Sequence, residues 1–378
     1  MKIVVAIDSF KGCLTSYEAG MCVKDAILEE MDADVTVAPI ADGGEGTVEA
    51  LMRCMHGEEV PVEVTGPLGE KIDTYYGVLK DRKVAVMEMA NVAGITMVHG
   101  TSKNPMNTTT YGVGEMILHA AQAGYREFIM GIGGSATNDG GMGMLTALGV
   151  KFYNAEGKPA GIFGRDVLRV AKVDISEMNP VLKECHFTIM SDVKNPLCGE
   201  MGSSVIFGPQ KGGTEKTIPQ MDEGLRKYAE IIKAATGKDC SEMEGAGAAG
   251  GLGFAFLTFL NTTLKPGISF MLDQIHMEDM LGDADLVITG EGCLDAQTAM
   301  GKTPIGVAHL AKKHGAKVIA FAGTLGRGVL DCNRDGIDAF FSICTKPMSI
   351  EEAMEKETAL HNLKRTVGQV CRLMQLVK

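Results

Sequence analysis

The sequence predicts an α/β protein in which a parallel-sheet domain is interrupted by an inserted second α/β domain. Three observations carry this. Strand-like and helix-like segments alternate from the start of the chain to about residue 55. The same alternation returns from Ala284 onward. It is the rhythm of parallel sheets, whose strands are joined by helical crossovers. Between about residues 60 and 282 the rhythm is irregular, so the second domain is placed there. The expected boundaries are 1–60 with 283–378 for one domain and 61–282 for the other. Two consecutive domains cut near residue 150 is the simpler alternative. A chain of 378 residues exceeds what one core usually serves.

Residues 3–7 are a continuous β-branched run, as in a strand buried on both faces. A polar loop follows, Asp8-Ser9-Phe10-Lys11-Gly12. Over 16–31, Ala19, Val23, Ala26 and Ile27 fall on one helical face. A strand over 34–40 leads into Ala41-Asp42-Gly43-Gly44-Glu45-Gly46-Thr47 and a helix over 48–55. Strands are then expected at 59–64, 73–79 and 83–89, joined by Gly66-Pro67-Leu68-Gly69 and Lys80-Asp81-Arg82. Turns that tight imply antiparallel or mixed pairing. Helices are read at 109–123, 144–148, 214–236 and 254–260, and strands at 127–130 and 187–190. The last part reads as strand 286–289, helix 304–314, strands 317–322 and 339–343, and a helical region over 349–376. There is no internal repeat.

The balance of 36 basic against 48 acidic residues gives a net charge of −12, with no basic cluster. That argues against nucleic acid or an anionic membrane surface as a partner. The ten cysteines form no CxxC pair and read as thiols of a reducing cytosol. No signal-peptide pattern opens the chain, and no apolar run nears the roughly twenty residues of a membrane helix. The expected location is cytoplasmic.

The most informative stretch is Gly131-Ile132-Gly133-Gly134-Ser135-Ala136-Thr137-Asn138-Asp139-Gly140-Gly141-Met142-Gly143. It lies between a strand and a helix, where open α/β sheets bind ligands. Glycines let backbone N–H groups approach an anion, and the helix N-terminus adds its dipole. Five loops share this design, at 8–12, 42–47, 133–141, 191–195 and 289–295, and together they suggest one cleft. Their acidic members are Asp8, Asp42, Glu45, Asp139, Asp192, Glu291 and Asp295. Carboxylates beside phosphate-cradling glycines imply a divalent cation, Mg²⁺ by its preference for oxygen. The plain alternative for each one is a helix cap or a surface charge. Lys11, Lys194, Lys211 and Lys302 are the cationic candidates. Lys211 sits in Gly208-Pro209-Gln210-Lys211-Gly212-Gly213, a rigid turn that could offer its ammonium to a carboxylate or phosphate.

Other motifs are discounted. Gly245 to Gly250 fits G-x-G-x-x-G, but no strand precedes it. Gly301-Lys302-Thr303 resembles the end of a Walker A loop, yet Ala296 occupies its first glycine position. No G-x-S-x-G elbow and no H-E-x-x-H helix is present. The residues alone lead to an α/β enzyme that binds phosphate or transfers phosphoryl groups with Mg²⁺.

At these loops the chain resembles the bacterial-type glycerate kinases. The resemblance rests on Ala6-Ile7-Asp8-Ser9-Phe10-Lys11-Gly12, Pro39-Ile40-Ala41-Asp42-Gly43-Gly44-Glu45-Gly46-Thr47 and the 131–141 loop. It continues through Ser191-Asp192-Val193-Lys194-Asn195-Pro196-Leu197, Gly208-Pro209-Gln210-Lys211-Gly212, Gly247-Ala248-Ala249-Gly250-Gly251-Leu252-Gly253, Thr289-Gly290-Glu291-Gly292 and Asp295-Ala296-Gln297. Cys293-Leu294 departs from the pattern, where a polar residue is expected first.

The resemblance implies ATP-dependent phosphorylation of D-glycerate to 2-phosphoglycerate, with Mg²⁺. It also implies a flavodoxin-like (Rossmann-like) domain interrupted by a second α/β domain, with the active site in the cleft between them. Gly133, Gly134, Ser135, Thr137, Asn138, Asp139 and Gly140 would then cradle ATP phosphates or the migrating phosphoryl. Gly290, Glu291 and Asp295 would join the nucleotide site. Asp192 would take or orient the hydroxyl proton. Asp42, Glu45 and Glu291 would meet Mg²⁺ or substrate hydroxyls, with Asp42 and Glu291 as the metal ligands. Lys11 or Lys211 would hold the glycerate carboxylate. A kinase for another small hydroxy acid, or a sugar-acid-binding module without turnover, remains the alternative. The sequence does not decide between a monomer and a homodimer.

Overall fold

The computed structural model describes residues 1–376. It separates into two compact units. Unit 1 comprises Met1–Asp42, Glu49–His56 and Gly267–Lys378, and unit 2 comprises Gly43–Val48 and Gly57–Pro266.

Unit 1 is built on a five-stranded sheet, ordered Ala339–Ser342, Lys317–Leu325, Leu286–Leu294, Lys2–Ile7, Asp34–Val37. Every pairing is parallel. Counted in chain order within the unit, this is 2-1-3-4-5, the flavodoxin-like order. The strand Lys2–Ile7 lies inside the sheet, and Ile3 to Ile7 are all buried, as their unbroken apolar run requires. Ile3, Val5 and Ile7 pack with Val23 and Ile27 of the helix Ser16–Glu30 and with Leu363 and Val367 of the helix Lys356–Leu376. The first of these helices starts at a capping box, in which Thr15 and Glu18 satisfy each other's backbone N–H.

Unit 2 holds a six-stranded mixed sheet, ordered Asn261–Lys265, His186–Met190, Glu127–Gly131, Val84–Glu88, Lys71–Leu79, Glu58–Thr65. The first four strands run parallel, and the last two add antiparallel partners. Phe128 and Phe187 stack at 4.7 Å between centroids on neighbouring strands, and Phe256 closes on Phe187 at 5.5 Å. The strand Asn261–Lys265 has no counterpart in the sequence reading. It is a sheet-edge strand whose residues alternate between exposed and half-buried, so it carries no apolar stripe. The small hairpin Lys151–Tyr153 with Lys172–Asp174 was also unread, because each strand has only three residues. Among the described residues, no helix is long and apolar enough to cross a membrane.

The helix read over 254–260 is longer, Ala248–Phe259, and its first turn is distorted. Ala249, Gly250 and Gly251 all adopt positive φ there, at 53°, 71° and 91°. The distortion brings the Gly250 backbone onto the glycine loop: a Cβ at Gly250 would lie 2.0 Å from the Thr137 carbonyl oxygen. Gly250→Ala therefore combines left-handed strain with a backbone clash, costing about 2 kcal/mol or more. Its thermal melt, followed by circular dichroism, should shift down by several degrees; a midpoint equal to wild type would refute the close approach.

Candidate active site

In unit 2 the glycine loop leaves the strand Glu127–Gly131 and enters the helix Met142–Ala147. Its shape is set by Asp139, which is fully buried. One Asp139 oxygen accepts from Thr110 N at 2.8 Å, Thr110 Oγ1 at 2.7 Å and Gly143 N at 3.2 Å. The other accepts from Gly141 N at 3.1 Å. Burial still pushes the carboxyl above its ordinary pKa, against the pull of those donors. Asn138 is likewise engaged, donating from Nδ2 to Ser204 Oγ at 2.9 Å. Gly140 N donates to the Gly250 carbonyl at 2.9 Å. So Asn138, Asp139 and Gly140 build the loop, and the solvent-facing part is Gly133 and Gly134.

The structure brings Lys211 onto this loop. Its ammonium is only 3% exposed and donates to Ser135 Oγ at 2.7 Å and to the Thr137 carbonyl at 2.6 Å. Desolvation lowers its pKa to about 7, outweighing the opposing field of Asp139. Thr137 Oγ1 is buried close by in sequence with no hydrogen-bond partner. Asp192 and Lys194 are exposed, just beyond the carboxyl end of the strand His186–Met190.

Gly43 and Gly133 meet backbone to backbone, Gly133 N donating to the Gly43 carbonyl at 2.9 Å. The same segment carries Glu45, half-buried. It is held from below by Glu88, which the sequence reading missed. Glu88 ends the strand Val84–Glu88, is 2% exposed and accepts from Gly46 N at 3.1 Å and Val48 N at 2.8 Å. Burial pushes its pKa up to about 7, and Glu45 adds to the rise. The available signal was a single acid inside the apolar run from Val84 to Ala93.

In unit 1, Asp8, Lys11, Asp42, Glu291 and Lys302 form a second cluster. Asp8 is buried and accepts from Ser9 N at 2.7 Å and Thr303 Oγ1 at 3.0 Å. Burial, with the charge of Asp42, raises its pKa, and Lys11 opposes the rise. Lys11 Nζ lies 3.9 Å from the Asp42 carboxylate. Glu291 accepts from Thr298 Oγ1 at 2.5 Å. Burial raises its pKa too, while Lys302 and Lys11 pull it down. Gly290 precedes it on a crowded strand, where a Cβ would stand 2.0 Å from the Phe321 carbonyl oxygen. Asp295 is the N-cap of the helix Ala296–Ala299, and its Oδ1 accepts from Gln297 N and Thr298 N. Among the described residues, no group of three or more His, Cys, Asp or Glu is arranged to hold a metal ion by itself.

Residues 3–375 match the model of the glycerate kinase family. A protein named glycerate kinase from Halalkalibacterium halodurans is 44% identical, over 95% of this chain and 94% of its own. A glycerate 2-kinase from Escherichia coli K12 is 45% identical, over 93% of each chain. A crystal structure from Salmonella typhimurium LT2 superposes with a TM-score of 0.83 at 42% identity. It covers 100% of this chain and 98% of that one.

The buried Lys211 has a signature in solution. Its folded pKa of about 7 lies below the ordinary value of 10.5. Below pH 7 both folded and unfolded chains carry the proton, so the desolvation penalty is fully present. Between pH 7 and 10.5 only the unfolded chain keeps it, so stability rises with pH, by up to about 1.4 kcal/mol per unit. Paired melts of wild type and Lys211→Met at pH 6, 7.5 and 9 should show wild type gaining on the variant as pH rises. Parallel curves would refute a desolvated ammonium.

Proposed function

The chain belongs to the glycerate kinase family, and we propose that it transfers the γ-phosphoryl group of ATP to the 2-hydroxyl of D-glycerate, giving 2-phosphoglycerate and ADP. The observation that carries this reading is the buried Lys211 ammonium on the glycine loop, in a chain that matches the family from residue 3 to residue 375. The reading makes it a cytoplasmic enzyme with a small anionic acceptor.

Phosphoryl transfer asks the protein mainly to position reactants and neutralise charge. In unit 2, Gly134 offers exposed backbone to a phosphate beside the half-buried Gly133, while Asp139 keeps the loop from collapsing. Lys211 pairs with the glycerate carboxylate. An arriving anion offsets the desolvation of that ammonium and raises its pKa, so binding draws a proton onto Lys211. Asp192 takes the proton of the attacking hydroxyl, or orients it. In a loose transition state that transfer comes late, so an exposed carboxylate suffices. Glu45 contacts a substrate hydroxyl.

In unit 1, Lys11 is the candidate cation for the ATP phosphates, which leaves the glycerate carboxylate to Lys211. Asp42 and Glu291 would hold Mg²⁺, which neutralises phosphate charge when bound. Their chemistry fits: both offer carboxylate oxygens, and Asp42 lies close enough to act on the Glu291 pKa. Mg²⁺ takes one or two carboxylates and completes its shell with phosphate oxygens and water, so it needs no protein cage. Asp139 does not fit that role, because its oxygens serve the loop. Asp295 serves its helix cap and reaches the nucleotide only by holding that turn in place.

Turnover with ATP, Mg²⁺ and D-glycerate, coupled to enolase without a phosphoglycerate mutase, should yield phosphoenolpyruvate at once. ADP release without enolase product would reject the 2-position. Activity confined to other hydroxy acids would reject glycerate. Asp192→Asn should lower kcat by about a hundredfold while leaving circular dichroism and melting unchanged. Near wild-type turnover would remove Asp192 from the mechanism.

A further inference from the structure

We propose that one cavity of unit 1, at the carboxyl ends of its strands, seats the nucleoside of ATP, with its base against Phe10, Ile343, Ile350 and Met354. The inference rests on the kinase reading and adds the part of the substrate that no loop motif specified.

The cavity measures about 440 Å³, within the range of small-molecule sites. It lies past the carboxyl ends of parallel strands: its walls include Ser9 and Phe10 after Lys2–Ile7, Gly323 and Thr324 late in Lys317–Leu325, and Ile343 after Ala339–Ser342. That is where open α/β sheets take ligands. Its lining divides by chemistry. Lys11 and Lys302 bring two ammonium groups suited to a polyphosphate. Phe10, Ile343, Ile350 and Met354 bring an apolar wall suited to a flat base.

Two further features suit a nucleoside. Ser9 is 6% exposed, lines the cavity, and its Oγ has no hydrogen-bond partner. A buried hydroxyl without a partner is costly, and a ribose hydroxyl or ring nitrogen would supply one. At the rim, Ile350 is 73% exposed and Met354 43% exposed. Both belong to the short helical turn Ile350–Ala353 and its C-cap, and a base laid on them would take them out of water. D-Glycerate has a group that could partner Ser9, but it does not explain the apolar rim. It is a three-carbon acid carrying hydroxyls on two of its carbons, too small for the cavity and with nothing to set against the apolar wall.

Cys293 is exposed and lines the same cavity, so it reports on occupancy without turnover. Its alkylation by a maleimide would be timed by peptide mass spectrometry on the full-length protein. ADP is expected to slow Cys293 in proportion to its occupancy, measured in parallel by calorimetry, and D-glycerate is expected to leave the rate unchanged. Ile350→Glu should weaken ADP binding about tenfold, near 1.4 kcal/mol, and leave the KM for D-glycerate as it is. Protection by D-glycerate instead of ADP would assign the cavity to the acid and overturn the inference. So would saturating ADP with no change at Cys293, an unaltered ADP affinity in Ile350→Glu, or no ADP binding at all. If ADP protects Cys293 but D-glycerate is never phosphorylated, the cavity assignment stands and the kinase reading falls. If phosphorylation proceeds and saturating ADP gives no protection, the reverse holds.

Discussion

Four donors converge on the Asp139 carboxylate, and the glycine loop depends on them. A loop of this composition has little of its own to hold it open, since glycine imposes no preferred conformation. Burying a carboxylate costs several kcal/mol unless charge-assisted hydrogen bonds replace its water. Here Thr110, Gly141 and Gly143 replace it. The carboxylate thereby fixes both the left-handed turn at Gly140 and Gly141 and the entry into the helix Met142–Ala147. What is left facing outward, at Gly133 and Gly134, is backbone whose position has been set from behind.

The same logic recurs at Glu88, which holds the 43–48 segment through Gly46 and Val48. In both places a buried acid serves the backbone, and the chemistry falls to neighbours. Lys211 is the counterpart on the cationic side. Its ammonium is held by a hydroxyl and a carbonyl rather than by a carboxylate, so its charge is not already spent on an ion pair. A cation kept in that condition is more responsive to an arriving anion than one in a surface salt bridge, which solvent screens.

Much of unit 1 was legible because its strands are buried on both faces. The run from Ile3 to Ile7 and the run from Leu286 to Thr289 announce themselves without periodicity. The loops after them were legible because glycine beside acid and hydroxyl residues is a local pattern. Burial and partnership were not legible. Lys211 looks like a solvated turn residue, and only its meeting with Ser135 and Thr137, far away in sequence, makes it otherwise. Asp139 and Asp295 look like open ligands, and the fold directs their oxygens to Thr110 and to Gln297 and Thr298. Nothing in a linear sequence distinguishes a carboxylate aimed at solvent from one aimed at its own backbone. The strand Asn261–Lys265 escaped because an edge strand with no buried face writes no apolar pattern.

The strand order of unit 1 also has a consequence for biosynthesis. Ile3 pairs with Leu286, and the helix Ser16–Glu30 is flanked by the helix Lys356–Leu376, with Lys364 on Glu29 and Arg372 on Glu30. A ribosome adding about 5–20 residues per second delivers Lys2–Ile7 together with Asp34–Val37, its neighbour on one side, well before Leu286–Leu294, its neighbour on the other. The run Gly57–Pro266 is contiguous and emerges in between. So Lys2–Ile7 and the helix Ser16–Glu30 precede the contiguous stretch Gly57–Pro266 and complete their packing only with segments that follow it.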